Sequence, residues 1–253
     1  MHLILTGATG LVGSGVLNQM LQLIPGEISK LTILSRRPVP MADGAEGVTV
    51  IEHKDFETYP PELLKQLQGA EGCVWAQGIS VSLVNKEDYV KITKDYPLAA
   101  AKAFSRLSDS FKFVYISGAG VTTKPGPFTQ FFAQIKGETE SSLLSLPTTD
   151  PAFASLKPYS LRPGMVDSAT DPAVISATTD RNASLVERLI KPTAPLWRAF
   201  LPGLVSPTQE IGIAATRLAM GGGGVVGGDG VEEGRILSNE VIRRLAREGF
   251  EGR

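Results

Sequence analysis

Apolar residues fall in short unbroken runs, separated by longer stretches in which they recur every three to four positions. Residues 3–6, 31–35, 48–51, 73–76, 111–117 and 158–162 form such runs and are read as strands. Helical periodicity covers 11–23, which Pro25-Gly26 closes, and then 62–68, 87–107 and 128–146. Strands alternating with helices predict βαβ units, hence a parallel, doubly wound α/β sheet of Rossmann-like type with helices on both faces. After Arg162-Pro163-Gly164 the rhythm changes. Pro172, Pro192, Pro195, Pro202 and Pro207 punctuate short helical pieces, among them 185–191 and 208–220. The expected organisation is therefore a nucleotide-binding domain over 1–166 and a smaller, substrate-side portion over 167–253 packed on it. The glycine-rich run 221–230 reads as a flexible surface loop, and Ser238-Asn239-Glu240 reads as the cap of a last helix through Arg247.

Composition narrows the partners. The 25 Lys+Arg and 26 Asp+Glu of the 253 residues leave a formal net charge of −1. That is no surplus for neutralising a phosphate backbone, so no nucleic-acid partner is expected. With 42% hydrophobic and 20% charged residues the chain is too apolar to be disordered. A single cysteine, Cys73, excludes an intramolecular disulfide and a cysteine-built metal site, and His2 and His53 do not make a zinc cluster; no metal is expected. The opening Met1-His2-Leu3-Ile4 lacks a basic leader region, and no apolar stretch reaches about 18 residues. The expectation is no secretory signal, no transmembrane segment and a reducing cytoplasmic location, with an organelle surface left open.

The sharpest chemical signal is Thr6-Gly7-Ala8-Thr9-Gly10-Leu11-Val12-Gly13, set between the first strand and the first helix. There Gly7 would make the tight turn, Gly10 would let a pyrophosphate approach the backbone, and Gly13 would let helix and sheet pack closely. The helix N-terminus adds free N–H groups and the positive end of its dipole. At the end of the second strand, where a carboxylate would accept from the ribose hydroxyls of NAD, the chain has Ser35-Arg36-Arg37. A guanidinium binds a 2′-phosphate through charge-assisted bonds, so NADP(H) is the expected cofactor, with Arg36 or Arg37 as its clamp. The other reading of the pair is a solvated basic turn.

The chain resembles the short-chain dehydrogenase/reductase superfamily, and within it the atypical NmrA-like and Tat-interacting-protein-like branch. The resemblance rests on Thr6–Gly13, Ser35-Arg36-Arg37, Lys54-Asp55-Phe56, Ala76-Gln77-Gly78, Phe113-Val114-Tyr115-Ile116-Ser117, Lys136-Gly137-Glu138 and Leu161-Arg162-Pro163-Gly164. It implies that Asp55 bonds the adenine amino group with Phe56 beside the ring, and that Ala76-Gln77-Gly78 lines the cofactor. It further implies that Lys136 binds the nicotinamide ribose, that Ser117 polarises a substrate carbonyl, and that Pro163-Gly164 lies near the carboxamide. A homodimer through 87–107 and 128–146 is implied in the same way.

One position departs from the pattern. Active reductases carry a tyrosine four residues before the lysine, on the same helix face; here that residue is Phe132, which has no hydroxyl to give or take a proton. The expected function is an NADP(H)-dependent oxidoreductase of a small, largely apolar carbonyl or alcohol, with Ser117 and Lys136 as its remaining catalytic residues. The alternatives are a catalytically silent NADP(H)-binding regulator and a non-redox isomerase or cyclase using the same pocket. Tyr89, Tyr96, Tyr115 and Tyr159 are unplaced by sequence, and Cys73 reads as inert core. Trp197 and Phe200 read as core aromatics or as a roof over a pocket. His53, Asp167 and Asp171 read as surface groups, and Arg243, Arg244 and Arg247 as a solvated helix face.

Overall fold

The computed structural model describes residues 1–179 and 191–248. Strands β1 (His2–Thr6), β2 (Lys30–Ser35), β3 (Val48–Glu52), β4 (Gly72–Trp75), β5 (Phe111–Ile116) and β6 (Leu156–Arg162) follow the predicted runs to within two residues. Among the described residues the main sheet has the order β3-β2-β1-β4-β5-β6-β10-β9, where β9 is Val231–Glu232 and β10 is Ile236–Ser238. All neighbours pair in parallel except the last two. From β1 the chain builds outward to β3 and then returns to the other side of β1. The crevice between the C-terminal ends of β1 and β4 is therefore the topological switch point.

Both faces are buried. On one, α1 (Leu11–Gln22), α8 (Thr208–Met220) and α9 (Asn239–Glu248) cover Leu3, Leu5, Val74, Val114 and Leu237. On the other, α2 (Pro61–Gln66), α4 (Tyr96–Phe104) and α5 (Phe131–Thr149) cover Ile4, Trp75, Phe113 and Tyr115. The two-residue period of each strand divides its side chains between these cores. Helices α1 and α8 approach closely because Gly15 and Gly212 meet: a Cβ on Gly212 would stand 2.6 Å from the Gly15 carbonyl oxygen.

Several expectations change. The stretch 87–107 is not one helix. It runs as α3 (Lys86–Val90), a π-helical turn (Lys91–Asp95), α4 and a closing 3₁₀ turn. The Thr93 carbonyl in that turn accepts from the Tyr115 and Thr139 hydroxyls, both at 3.2 Å, which ties the turn to β5 and α5. Helix α5 starts at Phe131 rather than 128, and Phe128 projects from the preceding loop, 98% exposed. Residues 167–253 are in part woven into the main sheet, since β10 pairs with β6 and α8 and α9 cover one face. The other described elements of this portion include helix α6 (Pro172–Ala177), helix α7 (Ala194–Phe200) and a small parallel pair, β7 (Met165–Asp167) with β8 (Val205–Pro207). The helix predicted over 185–191 lies outside the described residues up to 190.

The glycine run 221–230 is held: Tyr159 donates to Gly224, Arg235 to Gly223 and Arg244 to Gly227. Arg243 is partly buried and binds Glu210 of α8 at 2.8 Å, while Arg247, exposed as expected, binds the same carboxylate at 2.9 Å. His53 is half-buried, edge-on to Phe56 at 4.9 Å, and burial lowers its pKa. Cys73 is fully buried, and burial pushes its thiol up.

Candidate cofactor and active site

A cleft of about 1040 Å³ opens at the switch point. Gly7, Thr9, Gly10, Leu11 and Val12 line it from the β1–α1 loop, and Ser35, Arg36 and Arg37 from the end of β2. Ala76, Gln77 and Gly78 follow β4; Ser117, Lys136, Pro163 and Gly164 close the other side. These fifteen residues come from segments far apart in sequence, and the parallel order alone brings them together. The additional lining residues are mostly apolar or small. Ile79, Leu83, Ile116 and Val166 give an apolar wall, and Gly118 and Ala119 a narrow shoulder beside Ser117.

The loop geometry explains its glycines. Gly7 has φ +71°, and a Cβ there would overlap the Ala76 carbonyl. A Cβ on Gly13 would overlap the Gly7 carbonyl, so Gly13 serves the loop from behind and does not line the cleft. Gly10 differs, since a Cβ there would meet only the Gly7 carbonyl oxygen, at 3.3 Å. The first turn of α1 carries neither a side-chain cap nor a carboxylate, which leaves its N–H groups and dipole to a ligand. Thr6 is fully buried and outside the cleft.

On the β2 rim, Arg37 Nε donates to Thr9 Oγ1 at 3.1 Å, drawing the guanidinium toward the glycine loop. Among the described residues, neither Arg36 nor Arg37 is within ion-pair distance of a carboxylate. The two residues expected at the adenine do not line the cleft. Phe56 is 1% exposed in the aromatic core, stacked edge-on to Trp75 at 5.7 Å. The Asp55 carboxylate turns to its own loop, accepting from the Glu57 N–H at 3.0 Å and the Thr58 hydroxyl at 2.8 Å. Those bonds hold its pKa below the ordinary value.

At the opposite end Lys136 Nζ donates to the Ser117 carbonyl at 2.7 Å. Helix α5 can sit this close because Gly137 leaves room for the Thr122 carbonyl, which a Cβ would strike. Burial pushes the Lys136 ammonium down to about 8, against the opposing pull of Glu140 one turn later. Glu140 is itself fully buried and bound by Arg162 at 2.6 Å, and Arg162 bridges on to Glu232. The Ser117 and Gln77 side chains each keep a buried polar atom with no partner among the described residues. Gly164 is fixed from behind, its N–H donating to Ser206 Oγ at 2.7 Å, while Ala119 N–H donates to the Pro163 carbonyl, also at 2.7 Å.

No tyrosine lines this cleft. Tyr115, two residues before Ser117, turns into the core, and Tyr89 and Tyr159 are likewise buried away from it. Trp197 and Phe200 do not roof it either; Phe200 is 77% exposed. Asp167 binds Arg198 at 2.7 Å. Asp171 is not a surface group but 1% exposed, bonded to Asn18 and capping α6.

The order β3-β2-β1-β4-β5-β6, the glycine loop at its switch point and the lysine helix facing it define a Rossmann protein with the short-chain dehydrogenase/reductase fold. Solved structures of that fold include a short chain dehydrogenase family protein from Francisella tularensis, with TM-score 0.63 and 12% identity over 94% of this chain and 96% of that one. The Bordetella bronchiseptica enzyme WbmF in complex with NAD+ gives TM-score 0.62, 15% identity and coverages of 97% and 76%. ElxO with a tyrosine changed to phenylalanine and NADPH bound gives 0.60, 15%, 94% and 96%. No family model matches the chain. It is 34% identical over 262 residues to leucinostatins biosynthesis cluster protein T of Purpureocillium lilacinum, spanning 96% of this chain and 94% of the relative, and it belongs to that protein's family. It is also 38% identical over 156 residues to botcinic acid biosynthesis cluster B protein 16 of Botryotinia fuckeliana, 58% of this chain and 96% of that one. Among the described residues no helix is long and apolar enough to cross a membrane.

Proposed function

We propose that the chain is an NADP(H)-dependent oxidoreductase of the atypical, NmrA-like branch, interconverting a small, largely apolar carbonyl compound and its alcohol, with Phe132 where the usual tyrosine stands. The observation that carries this reading is the pair Arg36 and Arg37 at the rim of a glycine-loop cleft, with no carboxylate among the described residues neutralising them. A dinucleotide fits these residues. The Gly10 backbone and the first turn of α1 would take the pyrophosphate, the two guanidiniums a 2′-phosphate, and Gln77 and Lys136 would offer donors farther along. Bound there, a reduced nicotinamide supplies hydride to a substrate carbon. The chain's own part is to bind and orient: Ser117 donates to the carbonyl oxygen, Pro163-Gly164 walls the ring side, and Ile79, Leu83 and Val166 favour an apolar substrate and exclude water. That one relative is named for leucinostatins biosynthesis supports a small-molecule substrate.

Calorimetry with NADPH and NADH tests the reading. NADPH should bind at least about tenfold more tightly, a preference lost in the Arg36→Ala, Arg37→Ala double variant, since each charge-assisted pair contributes about 1.5–3 kcal/mol. Failure to bind either nucleotide overturns it. NADPH binding without hydride transfer to any carbonyl favours instead the regulatory alternative, which Phe132 and the lack of a cleft tyrosine already support.

A further inference from the structure

Hydride addition to a carbonyl puts negative charge on the oxygen, and a group in the cleft must then supply a proton. Three residues lining the cleft ionise by gain or loss of a side-chain proton: Arg36, Arg37 and Lys136. A guanidinium keeps its proton throughout the range in which proteins stay folded, and both arginines stand at the β2 rim, three strands from β5. Building on the reductase reading above, we propose that Lys136 is itself the proton donor, its ammonium protonating the substrate oxygen directly in place of the absent tyrosine.

The geometry suits the task. Lys136 Nζ uses one N–H on the Ser117 carbonyl, leaving two of its three donors. Beside it Gly118 has no side chain, and a Cβ there would stand only 3.8 Å from Nζ, so an approaching oxygen meets no bulk on that side. The Ser117 hydroxyl is buried and without a partner among the described residues, on the same residue whose carbonyl anchors the lysine.

Of the charged groups around α5, Asp95 of the π turn and Lys102 of α4 are exposed, and the following are engaged with other partners. Glu140 is bound by Arg162 of β6, and Lys94 of the π turn by Glu138 at 2.8 Å. Asp167 of β7 is bound by Arg198, Lys86 of α3 lies over the Phe131 ring, and the Tyr115 hydroxyl of β5 is on Thr93. Burial then lowers the lysine to about 8, where it can both give and regain a proton near neutrality.

The step balances. Hydride from a reduced nicotinamide forms the new C–H bond, the C=O π pair moves to oxygen, and oxygen takes a proton from Nζ. The products are the alcohol, the oxidised nicotinamide and a neutral amine, which recovers its proton from solvent.

Two measurements on the full chain test this. In the first, lysines dimethylated with ¹³C-formaldehyde are titrated by NMR, and the Lys136 signal is assigned by its loss in Lys136→Arg. A midpoint near 8 is expected; a midpoint at the ordinary lysine value, about 10.4, overturns the assignment without any substrate. In the second, stopped-flow oxidation of bound NADPH by a panel of aliphatic aldehydes and aryl ketones is followed between about pH 6 and pH 10. Reduction should slow about tenfold per pH unit above the midpoint, and alcohol oxidation should quicken through it. Lys136→Arg and Lys136→Met should slow reduction by about 10²–10⁴-fold, while Lys136→Arg, which keeps the charge, binds NADPH within about tenfold of wild type. An arginine variant with wild-type rate and pH profile sinks the proton-donor assignment and leaves the reductase standing. NADPH that binds but is oxidised by no carbonyl sinks the reductase reading and this one with it.

Discussion

Gly10 and Gly13 stand three residues apart in one loop and answer different demands. A methyl group on Gly13 would overlap the Gly7 carbonyl, whereas one on Gly10 would sit 3.3 Å from it at the edge of the cleft. Gly13→Ala should therefore destabilise the fold by about 1–3 kcal/mol, read by urea denaturation. If the proposed dinucleotide binds there, Gly10→Ala should leave the thermal midpoint within about 3 °C of wild type yet weaken NADPH binding about 100-fold by calorimetry, because the methyl would stand where the pyrophosphate is proposed to sit. The spacing of the glycines is legible in the sequence; which of them faces a ligand is not, since that depends on where the Gly7 and Ala76 carbonyls point. Asp171 shows the same limit. Its burial follows from Asn18 and Thr208, distant in sequence, and nothing local marks it as buried. That Arg36 and Arg37 stand at the rim of the cleft was legible for the opposite reason, as their place is set by the strand end they follow.

At the scale of elements, strands β1 to β6 announce themselves because each is an apolar run long enough to show against its flanking helices. β10 does not: Ile236–Ser238 is three residues, and only its ladders to β6 and to the two-residue β9 make it a strand. The π turn inside 87–107 is equally silent, because the apolar pattern runs through it while the backbone bonds shift. Yet β10 delivers a working part. Immediately after it, Asn239 donates to the Gly203 carbonyl at 2.7 Å and accepts from Ser206, whose oxygen holds the Gly164 N–H. Asn239→Ala should cost about 1–3 kcal/mol of stability by urea titration. It should also weaken NADPH and NADH binding by the same factor in calorimetry, since Arg36 and Arg37 on the far rim are untouched.

For the whole molecule, two buried titratable groups, His2 and Lys112, lie at the sheet's N-terminal end, and His2 is the one that titrates in the acid range. His2, 8% exposed, shares a hydrogen bond of 2.9 Å with Thr32, and burial, assisted by Lys30, lowers its pKa from 6.5 to about 4. Between those values the unfolded chain binds the proton and the folded one does not. The stabilisation is therefore complete above about pH 6.5 and is lost as pH falls toward 4. Denaturant midpoints should show the wild type losing about 2 kcal/mol between pH 7 and pH 4.5, with a shallower loss in His2→Asn. The late position of β10 and Asn239 in the chain has a consequence for synthesis. Translation delivers β1 to β6 first, and that much of the sheet can collapse while the rest is being made. The wall at Gly164, however, is braced by residues 206 and 239, and β6 stays an open edge until 236–238 pair with it. On the ribosome the nascent sheet thus passes through a stage with its glycine loop formed, one flank of its cleft unbraced and one strand edge exposed, which ends once residues 206 and 236–239 have been made.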